Sequence, residues 1–386
     1  MLVKNKTVVF LRSTPIAPEP RIEKDAIALL NAGYRVIVVG RDETLSFPPL
    51  EQRNGIEIHR LRVKRANMRG LANIWNVARW NVALTKWLLQ HASDYEVIHA
   101  CDFDTLIPAL ITKLVHRKKV VYDIFDVYAD TLKSVPKWIR YLLKKMDLKL
   151  MSFVDVVIIA DENRVEQIRG ARIRHLEVIY NSPPSVDLHL ERHRDSDHRL
   201  IIGYAGVLTK TRGLVEAIEV VKSHPEWQLV LAGSGPDEQE IISRINNSPN
   251  IKFLGTVEYE QALQIHANSD VILATYDPTI PNNKYSSANK LFEAMMFGVP
   301  IIVARGTGMD RIVEKYSLGC VVQYGELSEL EHALELISCL TPSEKEAIST
   351  RGRNVFANNF SWEKMEKRLL AIYEGLYNGS SNSNQY

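Results

Sequence analysis

Short apolar runs rich in Val and Ile alternate with longer stretches whose apolar residues recur at helical spacing, along nearly the whole chain. Runs that are apolar on both faces predict strands buried in a parallel sheet. In the first half they fall at Thr7–Leu11, Arg35–Gly40, Ile56–Arg60, Glu96–Ala100, Lys119–Asp123, Asp155–Ala160 and Leu176–Tyr180. Helical patterns lie between them at Arg21–Ala32, Leu71–Ala92, Thr105–His116, Pro136–Ser152 and Glu162–Gly170. The repeated strand–helix order predicts right-handed crossovers and a doubly wound sheet.

The pattern breaks at Ser182–His198, which carries two prolines and dense charge and reads as a linker. It then restarts. Strands are predicted at Leu200–Tyr204, Gln228–Ala232, Ile251–Leu254, Val271–Thr275, Ile301–Ala304 and Cys320–Gln323. Helices are predicted at Gly213–Lys222, Pro236–Asn246, Tyr259–Asn268, Asn289–Phe297, Asp310–Lys315, Leu327–Cys339 and Pro342–Asn358. The chain thus reads as two Rossmann-like α/β domains, residues 1–185 and 199–357, facing a cleft. A last helix, Trp362–Tyr377 within residues 358–378, carries a stripe of Met365, Leu369, Ile372 and Leu376, expected to pack back on the first domain.

Composition narrows the classes. A length of 386 residues suits two domains, and a net charge of +2 gives no electrostatic case for nucleic acid. Cys101, Cys320 and Cys339 form no paired framework, and the apolar run before Arg12 is too short for a signal peptide. A cytoplasmic protein without a spanning helix is expected. The polar tail from Gly379 reads as frayed. No GxGxxG follows the first strand, which argues against a dinucleotide dehydrogenase.

The chemistry gathers at glycine-rich strand ends in the second half. Gly203-Tyr204-Ala205-Gly206 leads through Arg212-Gly213 into a helix. Small residues let the backbone approach a ligand, a helix start offers N–H groups to phosphate, and Arg212 adds a forked cation. Read plainly, the same stretch is a strand–loop–helix turn with a solvated arginine. Gly233-Ser234-Gly235-Pro236 permits a second tight turn. The third segment, Asn289 to Pro300 (NKLFEAMMFGVP), opens a helix after the polar loop Asn282–Ser287, with Asn289 of a capping type. Glu293 sits one turn inside, where a carboxylate suits a pair of ribose hydroxyls. The flanking Leu291, Phe292, Met295 and Met296 argue for burial rather than the usual solvent-facing Glu.

The order of these segments, with Ile251–Val257 (IKFLGTV) between them, resembles the donor half of retaining family 4 glycosyltransferases over most of Ile201–Ile337; Arg21–Gly33 and Val97–Asp102 resemble the acceptor half more loosely. The resemblance implies a GT-B fold and metal-independent transfer of a hexose from a nucleotide sugar, UDP first and GDP next. The implied acceptor is a glycan or a lipid-linked saccharide. By position, Glu293 resembles the second glutamate of a Glu-x7-Glu motif and holds ribose. Arg212 stands where a diphosphate-binding lysine is usual, and Gly206, Gly233 and Gly235 flank the phosphates. Gly255, Thr256 and Val257 line the base pocket, while Ser287, Ala288 and Asn289 present amides to phosphate or sugar. Two positions depart: Tyr285 replaces the first glutamate, and Val207 replaces an arginine, a loss for which Lys290 compensates as a second cation.

On the acceptor side, Phe125 replaces a histidine usual there, and Asp126 or His99 remain as candidates to serve the acceptor. Asp102-Phe103-Asp104 resembles a DxD metal motif but reads better as a helix start suited to negative charge. Two basic, aromatic stretches stand out: Arg60–Trp87 (with Arg65, Arg69, Trp75 and Trp80) and Lys133–Lys149 (with Trp138, Tyr141 and Leu142). They suit peripheral contact with an anionic membrane, or a solvated face with its tryptophans in the core; both readings stay open. A non-hydrolysing nucleotide-sugar epimerase and a catalytically silent partner subunit remain rivals.

Overall fold

The structure, a computed structural model, describes residues 6–64, 74–132, 135–186, 200–285 and 287–378. Arg65, Arg69, Leu71, Lys133, most of the linker and the tail from Gly379 lie outside them. The chain divides into two units, residues 1–181 with 366–386, and residues 182–365.

The first unit holds β1 (Thr7–Leu11), β2 (Arg35–Asp42), β3 (Leu50–Arg53), β4 (Ile56–Arg62), β5 (Val97–Cys101), β6 (Lys119–Ile124), β7 (Val156–Ile159) and β8 (Leu176–Val178), in the order β3-β4-β2-β1-β5-β6-β7-β8. All pairs are parallel except β3 with β4. β3, Leu-Glu-Gln-Arg, has only half-buried and exposed residues, so it lacks the apolar run that marks the other strands. Glu162–Glu166 forms a short 3-10 turn rather than the helix expected to Gly170. The helices Ile74–Gln90, Phe103–His116 and Lys137–Leu150 contribute to one apolar cluster on the sheet, with Trp80, Leu84 and Trp87 buried in it. Trp80 and Trp87 are therefore core residues, as the plainer reading of that stretch requires, whereas Trp75 is exposed.

Helix Trp362–Asn378 buries Met365, Leu369, Ile372 and Tyr373. The Tyr373 hydroxyl lies 2.6 Å from Nδ1 of His99 in β5, and Tyr377 stacks on Tyr34.

The second unit holds β9 (Leu200–Ala205), β10 (Trp227–Ala232), β11 (Ile251–Phe253), β12 (Val271–Ala274), β13 (Ile301–Ala304) and β14 (Gly319–Val322), all parallel, in the order β11-β10-β9-β12-β13-β14. From β9 the chain winds outward to β11, then returns to β12 and winds the other way. The switch point therefore lies between β9 and β12, where ligands of such sheets bind.

Candidate functional site

Three loops leave the carboxyl ends of β9, β10 and β11 laced backbone to backbone. Gly206 N–H donates to Ala232 O at 2.9 Å, Gly233 N–H to Gly255 O at 2.7 Å, and Leu208 N–H to Ser234 O at 2.9 Å. Gly233 has φ +125°, and a Cβ there would stand 1.9 Å from Gly206 O, so no other residue fits without moving the first turn. A Cβ on Gly235 would likewise stand 2.2 Å from Leu208 O. Thr256 and Val257 follow in the loop after β11, exposed and half-buried.

Across the switch point, Tyr276 follows β12 and organises two cations. The Arg212 guanidinium lies 3.6 Å from its ring centroid, and Lys290 Nζ lies 3.5 Å from its hydroxyl and 4.3 Å from the centroid of Tyr204. Nζ also occupies the space a Cβ on Gly206 would need. Lys290 is buried, yet among the described residues no ion pair joins it, or Arg212, to a carboxylate. Two faces of aromatic rings offset part of the cost of burying an ammonium, and the Glu293 carboxylate, out of ion-pair contact but within electrostatic reach, offsets more.

Helix Asn289–Phe297 carries Lys290 in its first turn and Glu293 one turn on. Its N-cap is Ala288 rather than Asn289, and no side chain caps it. The Ala288 N–H points at Met309 Sδ, 3.5 Å away. The helix start thus keeps its dipole and leading amides for another acceptor. Glu293 is buried, as its apolar flanks require. Its Oε2 lies 2.7 Å from His266 Nδ1 and its Oε1 accepts from Tyr259 at 3.2 Å. His266 Nε2 accepts the Ala205 N–H at 3.1 Å, which leaves the imidazole proton on Nδ1, facing the carboxylate. Burial works to raise the Glu293 pKa. The His266 hydrogen bond, the Lys290 charge and Tyr259 outweigh it and hold the carboxyl below its usual range. An ionised carboxylate with one donor on each oxygen retains lone pairs for two hydroxyls.

Of the residues singled out in the sequence, Gly206, Arg212, Gly233, Gly235, Lys290 and Glu293 are thus brought to one place. Thr256, Val257, Ser287, Ala288 and Asn289 occupy the loops and helix start bordering it. Tyr285 closes a short helix, Pro281–Lys284, inside the segment expected as a polar loop, with Lys284 Nζ 5.2 Å from its ring. His266, Tyr259, Tyr204 and Tyr276 were not singled out as site residues; each sits where an ordinary core side chain would give the same sequence pattern.

In the first unit, the equivalent switch point lies between β1 and β5. Arg12 after β1 pairs there with Asp102 after β5, and Asp102 Oδ1 also accepts the N–H groups of Phe125 (2.9 Å) and Asp126 (3.2 Å). Asp102 therefore ties strand ends together and does not cap the helix that follows it. Burial raises its carboxyl to about 6, against the pull of Arg12. Asp126 is 45% exposed, with Arg164 Nη2 2.8 Å from its Oδ1. His99, by contrast, is fully buried, stacked on Phe10 and held by Tyr373 and Asp123, so it is a core residue. Asp25, His99 and Asp123 place ligand-type atoms within 4.8 Å of one another. Arg21 engages both Asp123 oxygens, at 2.9 and 3.0 Å, and Tyr373 takes His99 Nδ1. His99 and Asp123 are thus already engaged by side chains, and with Arg21 and Asp25 the group reads as a buried polar network.

The fold and both halves of the chain match known families. The family described as Glycosyl transferases group 1 matches residues 187–355, and Glycosyl transferase 4-like domain matches residues 17–184. The chain thus carries a group 1 glycosyltransferase domain after a glycosyl transferase 4-like domain, in the GT-B fold. Among its relatives is a GDP-mannose-dependent monoacylated alpha-(1-6)-phosphatidylinositol monomannoside mannosyltransferase of Corynebacterium glutamicum, 28% identical over 42% of this chain and 42% of that one. The match thus spans less than half of that relative. The capsular polysaccharide biosynthesis glycosyltransferase CapM of Staphylococcus aureus is 21% identical over 68% of this chain and 72% of its own length. A crystal structure of Anabaena Alr3699/HepE in complex with UDP and glucose superposes with a TM-score of 0.69, at 17% identity, over 96% of this chain and all of that one. At that identity the likeness speaks for the fold alone.

Proposed function

We propose that the chain transfers a hexose, with retention of configuration and without a metal, from a nucleoside-diphosphate sugar to a saccharide or lipid-linked saccharide. UDP is the first donor to consider and GDP the second. One observation carries the reading. A buried ammonium and a guanidinium that, among the described residues, no ion pair joins to a carboxylate flank one tyrosine at the switch point of a parallel sheet, beside a helix start with no side-chain cap. That arrangement suits a pyrophosphate. Glu293, one turn deeper and held ionised, suits the 2′ and 3′ hydroxyls of the adjoining ribose, with Thr256 and Val257 toward the base.

As the glycosidic bond to the anomeric carbon breaks, negative charge grows on the diphosphate. Arg212, Lys290 and the start of helix Asn289–Phe297 stabilise it, and fixed charges of this kind are a large source of catalytic help to such a leaving group. Asp126, the exposed carboxylate at the end of β6, is the candidate group for the acceptor. The relatives lend support through what their names say: one uses GDP-mannose on a phosphatidylinositol mannoside, one serves capsular polysaccharide synthesis, and one binds UDP.

The test is a thermal-shift panel of UDP, GDP, ADP and their hexose conjugates, because a ligand that binds only the folded state raises the midpoint by mass action. A shift with one nucleotide, lost in Lys290→Met, supports the reading; no shift with any of them overturns it. Tyr285, in place of a carboxylate, favours the silent-partner alternative, which predicts binding without product across an acceptor screen.

A further inference from the structure

The first unit carries most of its exposed large apolar side chains on one set of neighbouring helices. Trp75 and Val82 lie on Ile74–Gln90; Ile111, Leu114 and Val115 on Phe103–His116; Trp138, Tyr141, Leu142 and Met146 on Lys137–Leu150. Phe153 follows directly and is also exposed. Leu114 is 87% and Trp138 65% exposed, values far beyond what a helix packed on a sheet needs to show. These helices cover the sheet with their inner faces in a shared cluster, so the apolar residues named here are a second, outward set.

The outward set is not random. On Lys137–Leu150, Trp138, Tyr141, Leu142, Lys145, Met146 and Lys149 recur at spacings of three and four and share one stripe. Arg79, Lys86, His116, Arg117 and Lys119 are exposed on or beside the other two helices. Acidic residues are almost missing: the three helices carry only Asp104 and Asp147, and neither is exposed. Asp147 is turned inward to the Tyr122 hydroxyl at 2.9 Å. Between helix Phe103–His116 and Leu150–Phe153 runs a groove of about 650 Å³, lined by Leu110, Leu114 and Phe153 and by the cations Arg117, Lys118 and Arg174; its one acidic residue, Asp155, is paired with Lys113 and Lys119.

A solvated basic face would place charge outward and leucine inward. A protein partner of ordinary composition would meet a surface that repels every cation it brings. An anionic bilayer matches both halves of the pattern, because aromatic and aliphatic side chains enter the headgroup region while lysines meet phosphates. We propose that this three-helix face of the first unit docks on an anionic lipid surface, with the groove between Leu114 and Phe153 receiving acyl chain beside its lining cations. No helix among the described residues is long and apolar enough to cross a membrane, so the contact is peripheral. The proposal goes beyond the donor reading and does not depend on it.

Flotation of the full chain with vesicles tests it. Binding is expected to vesicles of phosphatidylcholine mixed with phosphatidylglycerol, weaker binding to phosphatidylcholine alone, and loss on adding salt. The triple variant Lys86→Ala, Lys145→Ala, Lys149→Ala should bind the mixed vesicles on the order of a hundredfold more weakly, as expected for three surface lysines. The variant Trp138→Ser with Leu142→Ser should lose binding to both vesicle types. Each variant keeps the wild-type melting midpoint and nucleotide shift, since all five side chains are exposed. No binding to the mixed vesicles, self-association in place of it, or binding untouched by both variants overturns the proposal. A missing nucleotide shift in the wild type would overturn the donor reading alone.

Discussion

His266 Nδ1 stands 2.7 Å from Oε2 of Glu293, and its other nitrogen is occupied by the Ala205 amide at the end of β9. The imidazole therefore couples the first glycine-rich turn to the helix that bears Lys290.

The first prediction concerns that pair. A carboxyl held below its usual range stabilises the fold above the unfolded pKa, about 4.3 for Glu, and loses that contribution as pH falls through the folded value. Urea unfolding of wild type and Glu293→Gln should therefore differ most near neutral pH and converge in acid. His266→Ala, which leaves a buried carboxylate short of its donor, should cost about 2–4 kcal/mol at pH 7. A gap between wild type and Glu293→Gln that widens in acid would contradict this assignment.

Lys290→Met keeps most of the buried volume and removes the charge. Loss of a charge-assisted contact to phosphate is worth about 1.5–3 kcal/mol, so nucleotide affinity measured by calorimetry should fall by roughly 10- to 150-fold. Tyr276→Phe removes the hydroxyl but keeps the ring under Arg212, and should cost less than Lys290→Met. Equal affinity in wild type and Lys290→Met would exclude a phosphate role for this lysine.

In the proposed reaction Arg212 and Lys290 supply the charge that a divalent ion would otherwise provide. Sugar transfer measured after EDTA treatment should match the untreated rate, and added Mg²⁺ should not raise it. Activity lost to EDTA and restored by Mg²⁺ would show that the two cations are insufficient.

Asp147 offers a test in the first unit. Burial pushes its carboxyl up to about 7, against the Tyr122 hydrogen bond. A raised carboxyl contributes stability that is full below the unfolded pKa, about 3.9, and is lost as pH rises through about 7. Asp147→Asn should therefore melt higher than wild type at pH 8, by about 1 kcal/mol or more, and lose that advantage by pH 5. The reverse ordering would place an ionised, satisfied carboxylate at this position.

The strands buried on both faces were legible to within a residue or two, because parallel strands need unbroken apolar runs: Thr7–Leu11 and Ile301–Ala304 are read as they stand. β3 escaped because an edge strand paired on one side needs no such run. Glu293 was legible from its apolar neighbours on one helix, which left a carboxylate nowhere to go but inward. Tyr276 and His266 were not. A tyrosine at a strand end and a histidine on a helix face have no local oddity, and their roles come from pairing with Arg212, Lys290 and Glu293 across distances of 14 to 64 residues, as with the 27 between His266 and Glu293. His99 shows the converse: a strand-end histidine invites a chemical role, and only its contact with Tyr373, 274 positions later, reveals a packing one.

That last contact bears on how the protein is made. The opening unit draws Tyr373 into the same interior as His99, while residues 182–365 build a separate body in between. A nascent chain emerging from the ribosome can finish its second body before its first. His99 and Tyr34 therefore gain their Tyr373 and Tyr377 partners only once helix Trp362–Asn378 has been synthesised.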